Sequence, residues 1–177
     1  MKQETIDRLK STVRNIPDFP IKGIQFKDLT TTLKNPEALA LIADELTALY
    51  AGKGVTKVAG IESRGFIGGA ILAARLGAGF VPVRKPGKLP ATTLKKSYNK
   101  EYGVDTIEVH QDAITGDDIV LLHDDLLATG GTMKAAIELI NEMHPKKVYV
   151  NFICELDDLH GRDMFPADIE VTSLFSF

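Results

Sequence analysis

Ile119-Val120-Leu121-Leu122-His123-Asp124-Asp125-Leu126-Leu127-Ala128-Thr129-Gly130-Gly131-Thr132 is the stretch that decides how this chain is read. Asp118 to His123 predicts a nearly continuous apolar strand, as in a parallel sheet buried on both faces. That strand delivers two adjacent acids, then a small Gly-containing loop, then a helix from about Thr132 to Met143. In an open parallel sheet, ligands bind at the carboxyl ends of the strands. A helix N-terminus offers N–H groups and a positive dipole end, which favour a phosphate. Gly130 and Gly131 let the backbone approach closely, and Thr129 and Thr132 can donate hydroxyl hydrogen bonds. Asp124 and Asp125 would repel phosphate; they suit sugar hydroxyls, or a metal bridging the ligand. The same residues also fit an ordinary β–α turn, with the acids as caps. Neither a Walker Gly-Lys-Ser/Thr nor a Gly-x-Gly-x-x-Gly fingerprint is present.

Outward from this stretch, the chain alternates between strand and helix patterns and predicts an α/β fold, a central mostly parallel sheet flanked by helices. Residues 2–14 read as a short polar helix, and Pro17 to Thr32 as turn-rich. Asn35-Pro36 opens a helix to about Tyr50, with Asn35 as N-cap, Pro36 at the first helical position and Leu39, Ile42, Leu46 and Leu49 on one face. Val55 to Ile61 reads as a strand, Gly65 to Leu76 as a helix and Gly79 to Val83 as a strand. Residues 84–103 carry little apolar periodicity and predict a long loop without regular structure; loops of that length are usually functional or disordered. Ile107 and Val109 mark a further strand, followed by Lys147 to Cys154 and a strand-like tail from Ile169 to Phe177.

Composition narrows the class. The 177 residues suit one domain spanning 1–177, with 21 Lys plus Arg against 24 Asp plus Glu and a formal net charge of −3. A nucleic-acid-coating protein would normally be basic, so no nucleic-acid partner is expected. The single Cys154 cannot form an internal disulfide, which suits a reducing compartment. The start is polar, unlike a signal peptide, and the apolar run Phe66 to Ala74 is half a membrane span and closed by Arg75. A soluble cytoplasmic protein with no membrane partner is the expectation.

The strand, Asp-Asp and Ala-Thr-Gly-Gly-Thr sequence resembles the phosphoribosyl pyrophosphate motif of type I phosphoribosyltransferases. Within that family, Asp124 to Thr132 looks like the version in the adenine branch. The resemblance continues in order along residues 17–145. Pro17-Asp18-Phe19-Pro20 with Gly23-Ile24-Gln25-Phe26-Lys27-Asp28 is similar to the N-terminal base-binding hood, here about residues 15–33. Glu62-Ser63-Arg64-Gly65-Phe66 is similar to the pyrophosphate loop, in which relatives carry a cis peptide that here would join Glu62 and Ser63. Val83 to Pro90 through Tyr98-Asn99-Lys100-Glu101-Tyr102-Gly103 resembles the flexible catalytic loop, about residues 84–103.

The resemblance implies transfer of ribose 5-phosphate from phosphoribosyl pyrophosphate to N9 of adenine, giving AMP and pyrophosphate in purine salvage. It assigns the 5′-phosphate to Ala128, Thr129, Gly130, Gly131 and Thr132, and the ribose hydroxyls to Asp124 and Asp125. Pyrophosphate falls to Glu62, Ser63, Arg64, Arg84, Lys85 and Lys88, with Mg²⁺ as cofactor carried mainly on the substrate, near Asp124 and Asp125. Glu101 is expected to act near adenine N7, with Tyr102 packed over the closed site and Arg64 as a third catalytic residue. Adenine is expected against Ile24, Gln25, Phe26 and Lys27, with Phe26 stacking and backbone groups reading the N1/N6 edge. Lys27 stands where many relatives carry Arg; it keeps the charge without the planar fork. A homodimer is also implied.

Single residues retain simpler readings. Arg64 taken alone fits a surface ion pair, Arg84, Lys85 and Lys88 a solvated basic loop, Glu101 a loop carboxylate paired with Lys100 or Lys96, and Phe26 a core aromatic beside Phe19. His123, where relatives carry an apolar residue, has no assigned role. At the level of function, the alternatives are transfer to a 6-oxopurine such as xanthine, or a non-catalytic sensor of phosphoribosyl pyrophosphate.

Overall fold

Side-chain alternation sets the architecture of the computed structural model, which describes residues 1–100 and 103–177. Its elements in chain order are α1 (Gln3–Thr12), β1 (Arg14–Pro17), β2 (Gln25–Asp28), α2 (Thr30–Leu33), α3 (Pro36–Tyr50), β3 (Lys57–Ile61), α4 (Gly65–Leu76), β4 (Gly79–Val83), β5 (Thr93–Lys100), β6 (Gly103–His110), β7 (Ile119–Leu127), α5 (Gly131–Asn141), β8 (Lys147–Glu155) and β9 (Glu170–Ser176). Two short 3₁₀ turns, Asp157–Leu159 and Gly161–Met164, join β8 to β9.

Among the described residues, five strands form a sheet in the order β4-β3-β7-β8-β9, with every neighbouring pair parallel. Successive residues of a strand face opposite sides. Ala59, Val120, Leu122 and Val150 therefore bury against Met133, Ile137 and Ile140 of α5. Val58, Leu121 and Tyr149 bury on the other side against Leu9 of α1, Ile42 and Leu46 of α3 and Leu72 of α4. Each large aliphatic side chain so covered contributes about 1.5–3 kcal/mol. Asn35 caps α3 as its sequence predicts, its Oδ1 accepting the N–H groups of Glu37 (3.0 Å) and Ala38 (3.1 Å).

Within the sheet, β3 precedes β4 and β7 in the chain yet lies between them. Connections leave β3 in one direction and enter β7 from the other, so a crevice opens between their carboxyl ends. This is the topological switch point, and it places the two loops that follow β3 and β7 side by side.

Three expectations change. Residues 84–103 are not a long structureless loop: Thr93–Lys100 and Gly103–His110 pair as an antiparallel hairpin. Leu94 and Tyr98 of that hairpin pack on the α5-side core, while Lys96 pairs with Glu138 (3.2 Å) and Glu142 (3.1 Å) of α5. The 15–33 segment is likewise more regular than its turn residues suggest, being built from the β1–β2 hairpin and α2. Arg14 and Asp28 close the hairpin, with Arg14 Nη2 2.5 Å from Asp28 Oδ2. A hydrogen bond from the Thr30 hydroxyl, then Arg14, hold the Asp28 carboxyl down at about 2. Finally, the strand predicted to stop at His123 runs on to Leu127, so both acids are strand residues.

Candidate active site

Alternation turns the two acids to different surroundings. Asp125 is 2% exposed, and its Oδ2 lies 2.7 Å from Nε of Arg64, the residue that begins α4 after β3. This ion pair bridges the switch point. Asp124 instead lines a cavity of about 200 Å³ together with Glu62, Arg84, Lys85, Tyr98 and Thr132. Its Oδ1 accepts the Asp125 N–H at 2.9 Å. Burial first, then repulsion from Asp125, raise the Asp124 carboxyl well above the usual carboxylate range. Burial also raises Asp125, against the opposing pull of Arg64. Burial and mutual repulsion thus oppose ionising both acids together, an opposition that a nearby cation would relieve.

The loop after β7 forms a second recess of about 100 Å³, lined by Asp124 and by Ala128, Thr129, Gly130, Gly131 and Thr132. Gly130 is the N-cap of α5 and adopts φ 82°, a left-handed conformation that favours glycine. The first N–H groups of α5 have no partners within the helix, and such a terminus favours an anion. All five residues of the sequence-predicted phosphate loop lie together at this helix terminus.

The basic segment is organised by carboxylates. Glu62 accepts the Lys85 N–H at 2.9 Å and the Arg84 guanidinium at 3.2 and 3.3 Å. Those bonds, the Lys85 N–H first, hold its carboxyl below the usual range. Glu62, expected beside pyrophosphate, anchors Arg84 and the Lys85 backbone here. Lys85 Nζ pairs with Asp105 of β6, and the Lys88 N–H donates to Glu108 at 3.2 Å. Ser63 is exposed, and the Glu62–Ser63 peptide is cis.

Sequence reasoning missed Tyr98, whose hydroxyl is 2.9 Å from Thr132 Oγ1 and donates to Asp105 at 3.2 Å. It also missed Glu108, fully buried and joined to Thr93, Lys95 and the 88–89 backbone. Long-range pairing of the hairpin creates both, and only the Glu-Tyr-Gly neighbourhood of Tyr98 hinted at it. Glu101 and Tyr102 lie outside the described residues.

The hood meets the same end of the sheet. Lys27 Nζ lies 4.3 Å from the centroid of the Phe177 ring, and Phe177 N–H donates to the carbonyl of Glu155, the last residue of β8. Phe26 packs edge-on against Phe19, ring centroids 5.1 Å apart, while Ile24 is exposed and Gln25 Oε1 accepts from Asn15. Phe26 thus lies beside Phe19, but it is half-buried and Phe19 is exposed, so it is not the core aromatic of the simpler reading. A groove of about 620 Å³ between α1, β9 and the 3₁₀ turns contains none of the predicted site residues.

Comparison with known proteins gives one consistent result. The family described as phosphoribosyl transferase domain matches residues 29–173. An adenine phosphoribosyltransferase of Bacteroides fragilis is 58% identical over 172 residues, covering 96% of this chain and 97% of the relative. The crystal structure of adenine phosphoribosyltransferase from Rhodothermus marinus superposes with a TM-score of 0.92 at 49% identity, covering 99% and 100% of the two chains. The enzyme from Giardia lamblia, complexed with 9-deazaadenine, superposes with a TM-score of 0.91 at 44% identity, covering 97% of each.

Proposed function

The chain belongs to the phosphoribosyl transferase family, and on that premise we propose that it transfers the 5-phosphoribosyl group from phosphoribosyl pyrophosphate to adenine, forming AMP and pyrophosphate. The near full-length identity to adenine phosphoribosyltransferases and the phosphate loop at the N-terminus of α5 support this reading together. So does 9-deazaadenine, an adenine analogue, in the Giardia relative.

The reaction breaks the anomeric C–O bond, leaving positive charge on the sugar and negative charge on departing pyrophosphate. Only groups that bind that charge more tightly as it grows accelerate the step. The Ala128–Thr132 loop takes the 5′-phosphate. Asp124, beside the cavity, accepts hydrogen bonds from the ribose hydroxyls and lies where positive charge develops. Asp125 fixes Arg64, whose side chain stays 35% exposed and is available to pyrophosphate oxygens. Arg84, Lys85 and Lys88 add positive charge beside the same cavity, with Glu62 and Asp105 setting their positions.

Among the described residues, no three His, Cys, Asp or Glu side chains converge on one point as a metal cage. A Mg²⁺ ion carried on pyrophosphate, with Asp124 and Asp125 nearby, fits this donor set, since Mg²⁺ is often held by one or two carboxylates plus substrate phosphates. When bound it neutralises and orients the leaving group.

Base choice belongs to the hood. Ile24, Gln25, Phe26 and Lys27 supply apolar surface and strand backbone groups for a purine edge. Donating to N1 and accepting from the 6-amino group would reject a 6-oxopurine, whose hydrogen-bonding pattern is reversed. Glu101 holds the proton near adenine N7, and Tyr102 covers the base. The chain works as a cytoplasmic homodimer in this reading; among the described residues no helix is long and apolar enough to cross a membrane. Incubation with phosphoribosyl pyrophosphate, Mg²⁺ and adenine should yield AMP and pyrophosphate in equal amounts; no AMP would refute the proposal.

A further inference from the structure

The phosphate loop has a partner that none of the sequence motifs includes. Gly161, buried in the second 3₁₀ turn after β8, lies directly against it. A Cβ on Gly161 would be 2.2 Å from the Ala128 carbonyl oxygen and 2.8 Å from Leu127 Cδ1. A Cβ on Gly130 would be 2.4 Å from the Gly161 carbonyl oxygen. The two backbone segments therefore interlock with no room for a methyl group on either side. Backbone atoms cannot move aside as a flexible side chain can, so the turn dictates where Ala128 and Gly130 sit.

The next residue ties that turn to the sheet. Arg162 Nε donates to Glu155 Oε1 and Oε2 at 2.7 and 2.8 Å, and Nη2 to Glu155 Oε2 at 2.6 Å. Nη2 also donates to Ser173 Oγ at 3.1 Å and Nη1 to the Val171 carbonyl at 2.9 Å. Ser173 Oγ in turn donates to Glu155 Oε2 at 2.8 Å. Glu155 is buried at the end of β8, and Val171 and Ser173 belong to β9. All three nitrogens of this planar fork thus donate to the sheet, a geometry that a lysine cannot reproduce. Beside it, Phe165 stacks on Phe152 of β8, ring planes 11° apart.

We propose that Gly161 and Arg162 form a positioning element for the 5′-phosphate loop: Arg162 locks the turn to β8 and β9, and the Gly161 peptide sets the loop against which the phosphate docks. The proposal rests on the phosphoribosyl transfer described above. It predicts an effect centred on the phosphorylated substrate, because the close backbone approach of Gly161 is to Ala128 and Gly130 of the phosphate loop. Positional errors of about 1 Å in such a site are enough to weaken binding strongly.

The experiment is steady-state kinetics on Gly161→Ala, Arg162→Lys and Ser173→Ala, with calorimetric titration of ribose 5-phosphate and of adenine into each protein. Gly161→Ala should raise KM for phosphoribosyl pyrophosphate and Kd for ribose 5-phosphate at least ~10-fold, with adenine KM and kcat within about 3-fold. Arg162→Lys should shift the same two constants by less, and Ser173→Ala by least. Thermal melts identify any variant that fails to fold; if Gly161→Ala does, the two milder variants decide the matter. Unchanged constants in the folded variants, or equal losses in adenine and phosphoribosyl pyrophosphate binding, would overturn the positioning role. Absence of turnover in the parent protein would instead overturn the transferase reading, so the two failures are distinguishable.

Discussion

Nε of Arg64, at the start of α4, lies 2.7 Å from Oδ2 of Asp125 in β7, joining the loop after β3 to the neighbouring strand β7 across the switch point. Breaking a fully buried pair costs 3–5 kcal/mol because one charge is left uncompensated. Arg64 is 35% exposed, so solvent screens part of that loss. Arg64→Gln should therefore destabilise the fold by about 1–3 kcal/mol in urea titrations. In an Asp125→Asn background the same substitution should cost much less. Equal costs in both backgrounds would show that the pair is not coupled. Arg64→Gln should also raise KM for phosphoribosyl pyrophosphate while leaving that for adenine near its parent value.

Asp124 carries a carboxyl whose ionisation the folded protein opposes, through burial and then Asp125. With a folded pKa above the unfolded one, its contribution to stability falls as pH rises from the unfolded value toward the folded one. Asp124→Asn removes that penalty. The variant should melt at a higher temperature than the parent at pH 8 and at nearly the same temperature at pH 4. Its affinity for phosphoribosyl pyrophosphate should fall even so. A lower melting temperature at pH 8 would contradict the assigned burial penalty.

His123 behaves in the opposite sense. It is fully buried, with Nδ1 2.6 Å from Asn151 Oδ1 and Nε2 facing Gly68 of α4. Burial pushes its imidazole down to about 4. The unfolded chain takes up a proton below about 6.5 while the folded one does not, so stability is lost as pH falls from there toward 4. The loss should reach on the order of 3 kcal/mol. Asp124 and Asp125, whose carboxyls are raised, act on stability in the opposite sense, so the comparison of His123→Leu with the parent isolates the term. The parent should lose more stability between pH 7 and 4 than the variant; parallel curves would exclude it.

Glu101, assigned to the proton near adenine N7, is tested by Glu101→Gln. Turnover should drop at least ~10²-fold, within the usual range for acid–base groups. KM for phosphoribosyl pyrophosphate should stay within a few-fold. An unchanged kcat would remove the role.

Local signals made much of this molecule legible before its fold was known. Asn35-Pro36 caps α3, Gly65–Leu76 is a helix with the predicted ends, and Asp124 lines one recess with Ala128 to Thr132 at the end of a buried strand. The β5–β6 hairpin was hidden because its face toward α5 includes Lys96, which is held by Glu138 and Glu142 instead of by apolar burial. A charge pair across elements leaves no apolar alternation to read. The roles of Tyr98 at Thr132 and Gly161 at Gly130 were out of reach for a related reason. Each depends on residues about 30 apart in sequence that only the folded sheet brings together.

Base selection is where the account is most exposed. Initial rates of pyrophosphate release should be measured with phosphoribosyl pyrophosphate, Mg²⁺ and, in turn, adenine, hypoxanthine, guanine and xanthine. A site that hydrogen-bonds the adenine edge should favour adenine in kcat/KM by at least ~10³-fold, since a 6-oxo base leaves buried groups unpaired. Release with xanthine or another 6-oxopurine equal to or above that with adenine would contradict it.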